Sequence, residues 1–160
     1  SDVYKRQRLA RIDFQRKQAT ALVDTIIDQH LANHVAAAML YLAEGAKGEG
    51  ACAFGNSDPQ VIRYWLHLLR TSFDVDESKF CIQILCRADQ DPDELVRYWA
   101  SITGIQRFIK SHADNRTVGK PTKRSTYKGV CQVYYHDLSL RRYLDALAQE
   151  LMARAFAPVD

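Results

Sequence analysis

The sequence predicts an α+β domain: a small antiparallel sheet with helices on one face. Three observations point there. Helical and alternating apolar patterns follow one another along the chain in the order α, β, α, β, α, β, β, α. The breaks between them carry helix-start and helix-stop residues. The 160 residues, 47% of them hydrophobic, suffice to bury a core without metal or disulfide staples.

From Asp13 to Ala43 the chain has neither Gly nor Pro. Leu22, Val23, Ile26, Ile27, Leu31, Val35, Ala38 and Leu42 follow the i, i+3, i+4 spacing of one long amphipathic helix. From Val35 the apolar stripe widens until Val35 to Ala43 is apolar all round, which demands burial on every side. The triplet Ala36, Ala37 and Ala38 would let a second backbone approach closely. A partner copy is therefore expected to cover Ala36, Ala37, Ala38, Leu40 and Tyr41 in a homodimer. The helix stops at Glu44-Gly45.

Ala51 to Gly55 reads as a short strand. Either Ser57 with Gln60, as a capping box, or Asp58 ahead of Pro59 starts the next helix, which carries Val61, Ile62, Trp65, Leu68, Leu69 and Phe73. Phe80 to Cys86 is a buried strand by composition. Asp91-Pro92-Asp93-Glu94 opens a helix that stops at Gly104, and Ile105 to Lys110 is expected to be a strand. Val130 to His136 alternates, with Cys131, Val133 and Tyr135 on one face and Val130, Gln132, Tyr134 and His136 on the other. Asp137 caps a last helix built on Leu140, Leu144, Leu147, Leu151 and Met152. Two segments are expected: a basic N-terminal linker over 1–17, read as truncated, and one domain over 18–157.

Composition excludes disorder and collagen. The longest apolar run is too short to cross a bilayer, and no secretory signal opens the chain, so a cytoplasmic protein is expected. Cys52, Cys81, Cys86 and Cys131 show no C-x-x-C spacing and read as small buried hydrophobes in a reducing compartment. The net charge of +3 says little, but its distribution does. Arg107 to Lys128 holds seven cations and one acid, net +6, whereas Asp74 to Glu94 is net −5. Interspersed cations suit phosphate contacts along a groove, so Lys110, Arg116, Lys120, Lys123, Arg124 and Lys128 are expected to bind double-stranded DNA. Gln132, Tyr134 and His136 on the neighbouring strand are residue types able to meet bases or phosphates.

The segment Ala37-Ala38-Met39-Leu40-Tyr41-Leu42-Ala43-Glu44-Gly45 resembles the signature of LAGLIDADG homing endonucleases. The following Lys47, Phe54-Gly55-Asn56-Ser57-Asp58-Pro59, Tyr98-Trp99 with Thr103-Gly104-Ile105, and Tyr127-Lys128-Gly129-Val130-Cys131-Gln132-Val133 resemble the bacterial and archaeal proteins of that type carrying YWAEG-x-K and NSDP. The resemblance implies the LAGLIDADG fold. It also implies a homodimeric, Mg²⁺-dependent endonuclease in which Glu44 holds the metal, with Lys47 beside it in a catalytic role. The sequence departs from the signature at Leu42, where relatives carry an acid or a tryptophan, and at Glu44, which replaces aspartate. A non-cleaving transcription regulator on the same fold is the alternative.

Overall fold

A computed structural model of the chain describes residues 1–121 and 126–160. It divides into two compact units, Ser1–Ala32 and Asn33–Asp160. In the first, helix α1 spans Asp2–Val23 and buries none of its residues. Helix α2, Gln29–Glu44, begins there and continues into the second unit. The single helix expected from Asp13 to Ala43 is therefore broken between Val23 and Gln29. Thr25, Ile26 and Ile27 are three β-branched residues in a row, which weakens the helix. Asp28 then accepts the Leu31 N–H at 2.9 Å, an N-cap that starts α2 afresh.

The second unit places strand β1 (Cys52–Asn56), helix α3 (Pro59–Ser72), strand β2 (Phe80–Arg87), helix α4 (Pro92–Thr103), strand β3 (His112–Asp114), strand β4 (Val130–Tyr135) and helix α5 (Leu138–Ala155) after α2. The aspartate caps are met as the residue types require. Asp58, Asp91 and Asp137 each accept a backbone N–H two residues on, and Pro59 and Pro92 fill the first turn of α3 and α4. Gly104 closes α4 in the left-handed region, φ 73°.

The sheet order is β1-β4-β2-β3. β4 pairs antiparallel with β1 and β2, whereas β2 and β3 are parallel, so the sheet is mixed and not antiparallel throughout. The cause is the crossover through α4, which carries the chain back to the starting end of β2 before it pairs again. The strand expected at Ile105–Lys110 makes only an isolated parallel bridge, Phe108 with Ile82; the ladder forms later, at His112–Asp114. Between them Ser111 Oγ, and not a backbone carbonyl, accepts the Ile84 N–H at 3.0 Å, which interrupts the pairing.

One sheet face carries Cys52, Phe54, Phe80, Ile82, Ile84, Cys86, Cys131, Val133 and Tyr135 into a core shared with buried residues of α2, α3, α4 and α5. The burial of β4 alternates strictly, as its sequence pattern requires. Ala37, Ala38 and Tyr41 belong to this core at 0%, 1% and 3% exposure, and Ala36 and Leu40 pack against it half-buried. The alanine triplet thus lies against the chain's own core, with the Tyr41 and Phe54 rings stacked on Trp65. One chain already excludes water from Ala37, Ala38 and Tyr41, so of the five residues expected to meet a partner copy only Ala36 and Leu40 keep accessible surface beyond a few per cent.

Gly129 sits just before β4 at φ 73°, and an added Cβ would lie 2.6 Å from the Leu85 carbonyl oxygen. Gly119 has the same φ, but an added Cβ would meet open space. Gly129→Ala is expected to cost well over about 2 kcal/mol in urea unfolding, because strain and a backbone clash add, against about 1 kcal/mol for Gly119→Ala. Equal losses would contradict the close approach of Gly129 to β2. A second test concerns Asp137, whose carboxyl is held down at about 2 by the Ser139 hydroxyl, the Ser139 N–H and Lys79. Because the folded pKa lies below its ordinary 3.8, this stabilisation is present above pH 3.8 and lost as pH falls through 2. The stability gap between wild type and Asp137→Asn should narrow over that window.

Candidate nucleic-acid interface

Alternation sends the other residues of β1, β4 and β2 to the sheet face away from the core. In register across the strands, Ala53, Tyr134 and Cys81 form one row, and Gly55, Gln132 and Gln83 the next. An added Cβ on Gly55 would come within 3.2 Å of Gln132 Cγ, so the glycine makes room for the glutamine. The Tyr134 hydroxyl donates to Gln83 Oε1 at 3.2 Å, and Gln83 Nε2 donates to the Lys110 carbonyl at 3.1 Å. His136, exposed at the end of the row, lies parallel to the Tyr134 ring with its Nε2 3.4 Å from Cys81 Sγ. The result is a face on which amide, phenol and imidazole groups, the types that hydrogen-bond bases and phosphates, lie around buried Ala53 and Cys81 and the exposed Leu85.

The basic segment borders this surface. Lys110, Arg116 and Lys120 are exposed. Arg116 is held by Asp114 at 3.0 Å, and the half-buried Lys128 places its ammonium 5.6 Å from the Tyr98 ring centre. Lys123 and Arg124 lie outside the described residues. The segment is anchored to the turn after β2 and to α4. The Ala88 N–H donates to Thr117 Oγ1 at 2.8 Å, Gln90 Nε2 to the Tyr127 carbonyl at 2.8 Å, and Trp99 Nε1 to the Lys128 carbonyl at 2.7 Å.

Four of the seven acids in the stretch opposite it in charge are engaged locally. Asp76 and Asp91 cap helical turns, Glu77 pairs with Arg70 at 2.6 Å, and Asp89 lies 3.3 Å from Arg87. These acids fall at both ends of β2 and make no single repelling face.

Glu44 and Lys47 lie at the other edge of the sheet. Gly45 bridges to Phe54 of β1, and the Ala46 N–H donates to the Ala53 carbonyl, so the chain leaving α2 runs beside the edge strand. Three strand spacings, roughly 14 Å, separate β1 from β3, which lies within the basic segment. Glu44 is exposed. The Lys47 ammonium donates to the Leu42 carbonyl and so satisfies the end of α2. Arg141 of α5 clamps the turn that follows, donating to the carbonyls of Gly48 and Ala51, with its guanidinium over the Tyr41 ring. Among the described residues no group of three or more His, Cys, Asp or Glu is placed to hold a metal ion. Glu44 therefore offers one exposed carboxylate per chain, and Mg²⁺ bound through one or two carboxylates completes its six oxygen ligands with waters and phosphate oxygens.

The four cysteines are buried and free. Burial pushes the Cys52 thiol up to about 11 and that of Cys131 to about 12, which keeps them protonated and unreactive. Sequence reasoning missed Gln83, Arg87 and Arg141. Gln83 carried a signal, as the polar residue inside Phe80-Cys81-Ile82-Gln83-Ile84-Leu85-Cys86. The two arginines carried none, since their acceptors are backbone carbonyls distant in sequence.

No protein-family model, curated protein or solved structure matches this chain. Among the described residues, no helix is long and apolar enough to cross a membrane. Arg141→Met, which keeps the stem but removes the donors to the Gly48–Ala51 turn, is expected to destabilise the protein by about 2–3 kcal/mol in denaturant unfolding. A loss under about 0.5 kcal/mol, the range of an ordinary surface substitution, would mean the clamp contributes nothing.

Proposed function

We propose that the chain binds double-stranded DNA through the open face of its sheet, as a DNA-binding protein of LAGLIDADG type acting in the cytoplasm. The observation that carries this reading is the set Gln83, Gln132, Tyr134 and His136 on one sheet face, bordered by a basic segment pinned to the same sheet. Tyr134 and Gln83, held by one another, lose little freedom on binding, and the cations supply affinity without reading sequence. Four buried free thiols fit a reducing compartment.

Binding without cleavage, as in a transcription regulator, is supported by Lys47, whose ammonium is engaged at the helix end. One observation favours the endonuclease reading. Glu44 is exposed at the end of α2, where a negative charge opposes the helix dipole, and among the described residues neither an ion pair nor a hydrogen bond accounts for it. Hydrolysis would require a homodimer that brings two such carboxylates together around Mg²⁺.

Fluorescence anisotropy with a labelled mixed-sequence duplex tests the reading. Log affinity should fall linearly with log salt, and Lys110→Ala or Lys120→Ala should each make the slope shallower by about one unit. Affinity indifferent to salt and to both substitutions would contradict it. A plasmid-nicking assay with Mg²⁺ separates the two forms: no nicking by wild type supports the regulator, whereas nicking that Glu44→Gln abolishes while binding survives supports the endonuclease.

A further inference from the structure

We propose that Arg87 is a positioning residue for nucleic-acid binding, one that holds the basic segment in its binding form without touching the ligand. The inference rests on the reading of the open face and basic segment as a DNA surface. Arg87 ends β2, and alternation puts it on the same side as Gln83. It is only 8% exposed, so it offers almost no surface to a phosphate.

The buried guanidinium is turned toward the basic segment. Its Nη2 donates to the Pro121 carbonyl at 2.7 Å and the Lys120 carbonyl at 3.3 Å. Its Nε lies 3.3 Å from Asp89 Oδ1, within ion-pair range but misaligned, and makes no hydrogen bond. The Arg87 N–H donates to Gln90 Oε1 at 3.0 Å, and Gln90 Nε2 in turn holds the Tyr127 carbonyl. With Ala88 on Thr117, the turn Arg87–Gln90 grips the segment at residues 117, 120, 121 and 127.

Burying a guanidinium is costly even with Asp89 3.3 Å away, and packing alone would be served by an apolar side chain. What the guanidinium supplies is one terminal nitrogen, Nη2, that reaches two successive carbonyls from the end of a rigid planar group, a placement that an ammonium on a flexible stem does not reproduce. Held at these points, the segment presents Arg116 and Lys120 already ordered, so binding loses less chain entropy.

Two measurements on the full chain test the proposal: duplex affinity by anisotropy over a salt series, and the rate of tryptic cleavage after Arg116 and Lys128 without DNA. Arg87→Met and Arg87→Lys should both weaken binding, by about tenfold for Met, with a shallower salt slope and faster cleavage. Gln90→Leu should move the readouts in the same direction and stands in for Arg87→Met should the latter fail to fold. Affinity within twofold of wild type with unchanged cleavage would overturn the proposal, as would full rescue by Arg87→Lys, which would mean that charge alone acts. If wild type binds no duplex, the nucleic-acid reading falls by itself. The cleavage rates then decide the anchoring: faster cleavage in the variants upholds it, and unchanged cleavage overturns it.

Discussion

The last strand in the sequence, β4, lies between β1 and β2 and makes every pairing that joins the first half of the second unit to its centre. Its two-residue period divides the sheet. Cys131, Val133 and Tyr135 face the helices, while Gln132 and Tyr134 face away. A slip of one residue would send the glutamine and tyrosine into the core and three apolar side chains out of it, so the register is strongly specified. The polar surface is thus a consequence of the same alternation that builds the core. Gly129, which lets the chain pass close to Leu85 immediately before β4, is part of that constraint.

Charge is handled differently at the two edges. At the β3 edge the turn after β2 fixes a cationic segment through backbone carbonyls, leaving the ammonium groups of Lys110 and Lys120 exposed. At the β1 edge Arg141 and Lys47 also bond to carbonyls, but there they close the turn after α2 and leave Glu44 exposed. Most acids between Asp74 and Glu94 serve as caps or ion pairs, so the formal net charge of a segment overstates the field it projects.

Much of the fold was legible because it is written in local terms. Asp58-Pro59, Asp91-Pro92 and Asp137 start helices where expected, Gly104 stops one, and the alternation of Val130 to Tyr135 is read off residue by residue. What was not legible depends on partners distant in sequence. The parallel pairing of β3 follows from where α4 returns the chain, and the burial of Ala37 and Ala38 follows from a core that closes over them. Ile26 and Ile27 have the right spacing for a helix, yet the Asp28 cap competes with it and wins. The polar row was half visible: β4 announced Gln132, Tyr134 and His136, but only the register joins them to Gln83 and Gly55.

The most direct test of the open face as the DNA surface is residue-resolved mapping of chemical-shift changes as a short duplex is titrated into isotope-labelled protein. The largest changes should fall on Gly55, Gln83, Gln132, Tyr134 and His136 and on the segment from Lys110 to Lys120, with the helical side unaffected. A hollow between α3 and α4, lined by Arg63, His67 and Arg70, lies elsewhere on the molecule. Changes confined to that hollow, with the sheet face silent, would contradict the assignment.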